Sequence, residues 1–332
     1  MMRLICAPMA TLSHEAFRHA IETFGGCDEY VTEMINASSL LTMGPFEKYY
    51  LLNGPCPEKI VWQITGNNAQ AMAKASVIAA QRGGIGIDLN MGCSAPQIYK
   101  TGAGIAWMLK PLEQTRDLVR QVKKALTELE AQESRHIRLS VKCRLGDEGF
   151  TDNSFFSFAD MLVSEGVELI TLHPRTIKEK YRLLPKYEYV QKLAERVSIP
   201  VVLNGDIKDA TSADYALSKA PSTAGLMIAR MAAQKPWIFN EIKNHLSGIQ
   251  KTPTTIDCQA LALTFIDNVL LYQPQEFHKT RLQRFFAYYC QNFTFAHYFQ
   301  TQMLNAKSVQ DSRERILDYF TKQPEDRFLT YY

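Results

Sequence analysis

The stretch 201–230, VVLNGDIKDATSADYALSKAPSTAGLMIAR, has the form of a strand, a helix and a second strand. Residues 201–203 and 225–228 are short apolar runs, and residues 210–219 between them have helical spacing. Polar residues directly follow each run, namely Asn204-Gly205-Asp206 and Ala229-Arg230. A single unit of this kind is compatible with several α/β folds, so the rest of the chain must decide between them.

The same alternation of strand and helix recurs along the first two thirds of the chain. Eight apolar runs indicate strands, at residues 4–7, 30–32, 61–64, 86–89, 139–143, 169–173, 201–203 and 225–228. Helical spacing occurs between them, at 14–24, 69–81, 113–129, 154–164, 187–196 and 210–219. This pattern predicts an α/β fold, a (β/α)8 TIM barrel, with an enlarged loop after the fourth strand.

Beyond the barrel the pattern becomes helical, opened by the cap-rich stretch 251–255. We therefore expect a barrel domain over 1–244 and a small all-α domain over 245–332. The chain has 332 residues, of which 46% are hydrophobic and 21% charged, a composition that excludes collagen, coiled coil and disorder. Its net charge of +3 neither indicates nor excludes a nucleic-acid partner.

The cysteines and the apolar runs indicate the cellular compartment of the protein. Seven cysteines are scattered without CxxC spacing, which predicts reduced thiols and no metal site. The sequence shows neither a signal peptide nor a run of about 18 apolar residues. We expect a cytoplasmic protein that is a monomer and has no membrane partner.

In a TIM barrel the chemistry lies at the carboxyl ends of the strands. Polar residues follow nearly every predicted strand here, whereas a doubly wound sheet would carry them mainly at one switch point. The residues at the ends of the eight predicted strands are Ala7-Pro8-Met9, Thr32-Glu33-Met34, Gln63, Asn90-Met91-Gly92-Cys93, Lys142, Arg144, His173, Arg175, Asn204-Gly205-Asp206 and Ala229-Arg230.

Two features of these strand ends suggest a flavin. Lys142 and Arg144 lie on the same face of one strand, where two cations need an anionic ligand such as a reduced isoalloxazine. Gly205 and Ala229 are placed for a phosphate held by backbone N–H groups, with Arg230 as its counter-charge. Both features also have structural explanations, a solvated lysine at a strand end and an ordinary turn glycine.

Cys93 differs from the other cysteines because it follows a strand in a Gly-rich loop. A thiol placed there can donate a proton to a bound ring, although a lone cysteine is more often a small buried residue. His173 and Arg175 can contact a ligand or a polyanion, and alone they are weak evidence.

The segment 272–299 combines aromatic and basic residues. At helical spacing Phe285, Tyr289 and their aromatic neighbours are expected to form core rather than base-stacking platforms. The nearby cations face no local acidic residues and form a plausible patch for an RNA backbone, namely His278, Lys279, Arg281 and Arg284.

Taken in order, the motifs resemble those of the tRNA-dihydrouridine synthase family. The resemblance runs from Leu4 to about Phe239 and is weaker over the helical tail. Its motifs are Ala7-Pro8-Met9, Thr32-Glu33-Met34, 88–93 (DLNMGC), 100–104 (KTGAG), 141–146 (VKCRLG), His173-Pro174-Arg175-Thr176, 204–207 (NGDI) and 225–230 (GLMIAR). The resemblance implies a TIM-barrel flavoenzyme that binds FMN, is reduced by NADPH and grips tRNA or another structured RNA with its helical domain.

The resemblance also implies roles for single residues. Cys93 corresponds to the catalytic cysteine, which protonates C5 of a uracil that leaves its stack while FMN delivers a hydride to C6. Residues expected to bind FMN are Pro8, Met9, Gln63, Lys142, His173, Asn204, Gly205, Asp206, Ala229 and Arg230. Residues expected to contact the RNA are Asn90, Arg144, Arg175 and Tyr181 at the target nucleotide and Lys279, Arg281 and Arg284 on the tail.

This sequence departs from the family pattern at three places. Ser94 stands where members usually have proline, Ala229-Arg230-Met231 replaces Gly-Arg-Gly, and Pro174 removes a backbone donor. Three alternatives remain open: a synthase that acts on rRNA, an FMN barrel that resembles dihydroorotate dehydrogenase and acts on small molecules, and a flavin-free RNA-binding barrel.

Overall fold

The computed structural model describes residues 2–179, 182–249 and 253–331. The strands of its main sheet are β1 (Arg3–Cys6), β2 (Glu29–Val31), β3 (Ile35–Asn36), β4 (Ile60–Thr65), β5 (Gly86–Met91), β6 (Arg138–Cys143), β7 (Leu169–Leu172), β8 (Val201–Asn204) and β9 (Gly225–Ile228). All neighbouring pairs are parallel, and the sheet closes because β2 pairs with both β1 and β4. The predicted eight-stranded barrel is therefore confirmed.

Each of the eight predicted runs coincides with a barrel strand to within one or two residues. The sequence missed β3, which has two residues and pairs only at the far end of β4, through Ile35 and Ile64. A strand this short has no alternation from which it could be predicted.

Helices surround the barrel and continue beyond it. In chain order they are α1 (Glu15–Glu22), α2 (Ala37–Thr42), α3 (Glu47–Tyr50), α4 (Ala69–Ala80), α5 (Pro96–Tyr99), α6 (Ala106–Leu109), α7 (Leu112–Glu133), α8 (Asp152–Ser164), α9 (Tyr187–Arg196), α10 (Ala210–Lys219), α11 (Arg230–Gln234), α12 (Ile238–Leu246), α13 (Cys258–Tyr272), α14 (Gln275–Tyr289), α15 (Ala296–Leu304) and α16 (Val309–Lys322). The enlarged loop is confirmed, because α5 and α6 precede α7 between β5 and β6.

The interior of the barrel is layered from apolar to polar. A cluster of buried side chains fills its lower part, including Ile5, Val31, Val61, Leu169, Val202 and Met227. Because side chains alternate along a strand, the residue two positions further along faces the same interior. Gln63 therefore lies above Val61, and Asn204 lies above Val202. This alternation places a polar layer at the carboxyl ends of the strands.

The C-terminal region is helical, as predicted, with one addition. A short antiparallel pair joins β10 (Thr254–Asp257) to β11 (Phe328–Tyr331). These two strands lie about 70 residues apart in sequence, so no local pattern reveals their pairing. The region packs on the barrel helix α1, where the Phe17 and Phe285 rings meet edge to face with centroids 6.4 Å apart.

The expected division into domains 1–244 and 245–332 stays a prediction. Its boundary falls within α12 (Ile238–Leu246), and one hydrophobic core includes residues from both sides. Among the described residues, no helix combines the length and apolarity that a bilayer crossing requires.

Candidate active site at the barrel mouth

The strand ends bring the predicted polar residues together at one end of the barrel, which we call the mouth. Asn90 and Lys142 are register partners on β5 and β6. His173 follows β7, and its backbone N–H donates to the Cys143 carbonyl at 3.0 Å. Asn204 ends β8, and its Nδ2 donates to the Met227 carbonyl of β9 at 2.8 Å.

Positive charge is concentrated around His173. This imidazole is 6% exposed, and its pKa lies well below the usual value because burial and the cations Arg144, Lys142, Arg175 and Arg230 all disfavour protonation. His173 is therefore neutral in the folded protein and can offer one donor and one acceptor. Cations that crowd one histidine in this way attract an anionic ligand.

Lys142, on β6, is another of these cations. Burial, reinforced by Arg144, lowers the pKa of Lys142 to about 8, while Asp88 and Cys93 act in the opposite direction. The ammonium therefore titrates closer to neutral pH than an ordinary lysine does. An anionic ligand at the mouth would favour the charged form of Lys142.

Asp206 balances two of these cations. Its carboxylate accepts from Arg175 Nη2 at 2.5 Å and from Arg230 Nη2 at 3.3 Å. Arg175 is 1% exposed and also donates from Nε to the Leu183 carbonyl at 2.7 Å. That Arg175 contacts the RNA stays a prediction, and the structure shows its guanidinium buried and bound within the protein.

Four polar side chains form a hydrogen-bonded chain beneath the mouth, which we call the polar relay: Ser140, Asp88, Gln63 and Asn90. Ser140 Oγ donates to Asp88 Oδ1 at 2.8 Å, and Gln63 Nε2 donates to Asp88 Oδ2 at 2.7 Å. Asn90 Nδ2 then donates to Gln63 Oε1 at 2.8 Å. All four residues are buried. The sequence alone predicts no role for Asp88 or Ser140, because their pairing depends on strand register.

The relay ends at the loop that carries Cys93. Asn90 Oδ1 accepts from the backbone N–H of Cys93 at 3.0 Å. The Cys93 carbonyl accepts from the Ile105 N–H at 3.0 Å. Gly104 has φ +60°, and a Cβ there would lie 2.5 Å from that carbonyl, so this position requires glycine. The backbone of Cys93 is thus fixed on both sides.

Cys93 is also the accessible thiol of the chain. It is half-buried, whereas the other six cysteines are buried. Burial raises the pKa of the Cys143 thiol to about 12, so that neighbour cannot replace Cys93 as a reactive group. Arg144 Nε donates to the Gly92 carbonyl at 3.0 Å and so lies against the same loop.

At the predicted phosphate end, the two departures from the family pattern lie at positions without a positive φ. Ala229 has φ −111°, and Met231 lies in the helix α11, so neither position requires glycine. Gly205 does have a positive φ of +136°, and a Cβ there would lie 3.2 Å from the His173 ring. Glycine at 205 therefore allows the loop after β8 to pack closely against His173.

The loop after β1 holds Pro8 and Met9, which are both half-buried. It is tied to the end of β2, because the Thr11 N–H donates to Glu33 Oε1 at 2.5 Å. The same carboxylate oxygen accepts from Arg281 Nη1 at 2.5 Å, and both charged side chains are almost fully buried. That Arg281 contacts RNA stays a prediction, and in this structure the cation joins α14 to the barrel mouth.

The remaining predicted RNA contacts differ in what the structure shows. Lys279 and Arg284 are exposed on α14, where RNA could reach them. The prediction that aromatic residues of this segment form core is confirmed, because Phe285 and Tyr289 are fully buried. Tyr181 lies outside the described residues.

His14 directly precedes α1 and is buried. Neither ring nitrogen has a partner among the described residues, and burial, with Arg281 and Arg18 nearby, holds its pKa well below 6.5. Below about pH 6.5 the unfolded chain binds a proton here that the folded protein does not, so stability falls as pH falls.

We expect the His14→Leu variant to lose less stability than the wild type between pH 6.5 and 5.5. The difference should be about 1 kcal/mol across this window, because the unfolded chain goes from about half to about nine tenths protonated there and a full proton gives about 1.4 kcal/mol per pH unit. Urea unfolding at several pH values measures it. His173, whose pKa is also lowered, keeps its own contribution in both proteins. Parallel pH profiles of the variant and the wild type would contradict the prediction.

The fold and the site together define a TIM barrel whose polar and charged residues gather at the carboxyl ends of the strands. Solved structures share this fold: morphinone reductase has a TM-score of 0.51 at 12% identity, covering 75% of this chain and 86% of that one. An old yellow enzyme homologue from Zymomonas mobilis has a TM-score of 0.50 at 13% identity, covering 75% and 90%. At these identities the likeness concerns the fold alone.

The sequence itself is matched more specifically. The model of the dihydrouridine synthase family matches residues 5–324, and this chain belongs to that family, which makes it an oxidoreductase. The tRNA-dihydrouridine synthase B of Vibrio cholerae is 30% identical over 288 residues, covering 86% of this chain and 81% of the relative. A probable tRNA-dihydrouridine synthase of Aquifex aeolicus is 31% identical over 242 residues, covering 72% of each.

Proposed function

We propose that this protein reduces the C5=C6 bond of a specific uridine in tRNA, with FMN as its cofactor and NADPH as the reductant. It would act in the cytoplasm as a monomer. The observation that carries the proposal is the half-buried Cys93 thiol, held on a fixed loop beside the cations of the mouth in a chain of the dihydrouridine synthase family. The relatives named as tRNA-dihydrouridine synthases support the choice of tRNA.

The residues of the mouth fit FMN by their chemistry. Lys142 and His173 supply a cation and a neutral donor for the isoalloxazine and the ribityl chain. Arg230 is exposed and supplies a charge for the phosphate, beside the backbone at Gly205 and Ala229. Pro8, Met9, Gln63, Asn204 and Asp206 complete the proposed set. When bound, the reduced flavin supplies the hydride that adds to C6 of the uracil.

The chain itself supplies the proton and the positioning. The thiol of Cys93 holds the proton that C5 receives, and the hydrogen bond from its backbone to Asn90 orients the loop. Arg144 and Asn90 lie beside the same loop and are proposed to contact the target nucleotide. The target base must leave its stack to reach the thiol, so the protein has to grip the surrounding RNA.

Lys279 and Arg284 are proposed to make part of this grip. Replacing both by glutamate should weaken tRNA binding and lower the slope of log affinity against log salt by about 2, since two phosphate contacts are lost. Fluorescence anisotropy at several salt concentrations measures both quantities. Lys124→Glu, which changes an exposed cation on α7, is the matched control and should leave the slope unchanged. An unchanged slope in the double variant would remove these residues from the interface.

The function is tested by mass spectrometry of cellular RNA with and without the gene. We expect one uridine position in tRNA to lose two mass units in the deletion strain, and to regain them when the gene is restored. A change in rRNA instead would support the rRNA alternative. If no nucleotide changes and the purified protein binds no flavin, the proposal is wrong.

A further inference from the structure

Asp88 lies directly below the mouth and has no part in the proposed contacts with cofactor or RNA. It is 2% exposed and pairs in register with Gln63 on one side and Ser140 on the other. A buried carboxylate is costly unless hydrogen bonds and nearby charges compensate for its lost hydration. Both of its oxygens are used in the polar relay.

Asp88 determines which atoms donate and which accept along the polar relay. An ionised carboxylate only accepts hydrogen bonds, so Gln63 must turn its Nε2 toward Asp88, at 2.7 Å. Its Oε1 then faces Asn90 and accepts from Nδ2 at 2.8 Å. Asn90 consequently presents its own oxygen to the loop.

The last step of the relay reaches the backbone. Asn90 Oδ1 accepts from the N–H groups of Gly92, at 3.3 Å, and Cys93, at 3.0 Å. If either amide side chain were reversed, donors would face donors within the relay or at the loop. The loop hydrogen bonds thus depend on the acceptor at position 88, two amide side chains away.

We propose that Asp88 is a positioning residue: the acceptor oxygen that it turns toward Gln63 fixes the orientation of the Gln63 and Asn90 amides and, through them, holds the backbone of Cys93 in place. This inference rests on the proposed role of Cys93 in the reaction. Asp88 acts through other residues and touches neither substrate nor cofactor in this account.

The test reverses the direction of the hydrogen bonds between positions 88, 63 and 90 of the polar relay. In Asn90→Asp, the new carboxylate at position 90 meets the oxygen of Gln63, which Asp88 holds in place, so two acceptors oppose each other. In the double variant Asp88→Asn/Asn90→Asp, Gln63 can turn over. The amide at position 88 then donates to Gln63, whose Nε2 donates to the carboxylate at position 90. That carboxylate still accepts from the Cys93 N–H, so the two hydrogen bonds that join positions 88, 63 and 90 are restored in the opposite direction and the others are kept.

The readout is the rate at which iodoacetamide alkylates Cys93 in the purified protein, followed by mass spectrometry of the peptide. The six other cysteines are buried, so this site can be measured separately. We expect Asn90→Asp to raise the rate about tenfold, since a strained loop exposes the thiol more often. The double variant should return to within about twofold of the wild type.

Two single changes serve as controls. Asp88→Asn should react at the wild-type rate, because its oxygen can still face Gln63 while its amide donates to the Ser140 hydroxyl. Asp28→Asn, at a carboxylate that accepts from the Leu4 N–H at the other end of the barrel, should also leave the rate unchanged. A fast Asp88→Asn would mean that charge alone, and not direction, matters, and would overturn the proposal.

Equal alkylation rates in Asn90→Asp and the double variant would also overturn the inference, as would a wild-type rate in Asn90→Asp. If Asn90→Asp does not fold, folding itself becomes the readout: a folded double variant supports the relay, and a double variant that also fails to fold overturns it. Alkylation requires no RNA and no turnover. A chain that forms no dihydrouridine would refute the proposed function without affecting this result.

Discussion

The Cys93→Ala variant is expected to form dihydrouridine about 10²- to 10⁴-fold more slowly than the wild type, the range for losing a general acid. The loss is large because the other six cysteines are buried and cannot supply the proton. Flavin binding should persist, since the cations of the mouth and the loop backbone remain. Single-turnover reduction of a tRNA transcript, with the flavin absorbance recorded beforehand, separates the two effects.

Cys27→Ala is the matched control, because it removes a thiol that is 7% exposed and distant from the mouth. It should leave the rate of dihydrouridine formation unchanged. Cys93→Ser keeps a weaker acid at the same position and should fall between the alanine variant and the wild type. Wild-type turnover by Cys93→Ala would exclude the thiol as the proton donor.

The Arg281→Ala variant is expected to lower the free energy of unfolding by about 3–5 kcal/mol, as removing one partner of a buried ion pair does. Arg281 is 2% exposed, and its loss would leave the Glu33 carboxylate buried without its cation. Burial already raises the pKa of Glu33, while Arg281 opposes that shift. Urea unfolding at pH 7 measures the change.

Arg284→Ala is the control for Arg281, three positions along the same helix. Its guanidinium is exposed over the Tyr288 ring, so its removal should change stability by less than about 1 kcal/mol. The double variant Glu33→Gln/Arg281→Met should recover part of the stability lost in Arg281→Ala, because no unpaired charge remains. Equal stabilities of the Arg281→Ala and Arg284→Ala variants would show that the ion pair contributes little.

The barrel and most of its mouth could be predicted from the sequence, for a physical reason. Each strand is a short apolar run with polar residues at its carboxyl end. The positions of Gln63, Lys142 and Asn204 at the mouth can therefore be predicted from the sequence of one strand alone. Their neighbours cannot be placed in this way. Asp88 and Gln63 lie 25 residues apart, and only the register of β4 and β5 shows that they are bonded.

Burial of charge was the least predictable property. Arg175 and Arg281 resemble surface cations in the sequence, yet both are enclosed and paired with carboxylates. Arg281 finds its partner 248 residues away, a separation at which no spacing rule applies. A basic stretch therefore predicts charge but does not distinguish a contact with RNA from an internal ion pair.

The ion pair between Glu33 and Arg281 limits how the C-terminal helices can be exchanged between related enzymes. Glu33 also accepts from the Thr11 N–H, in the loop that carries Met9. A chimaera in which another synthase's tail is grafted onto this barrel must therefore bring a cation to the place of Arg281, or replace Glu33 as well. Otherwise the graft would disturb the loop after β1 even if every RNA-facing residue were preserved.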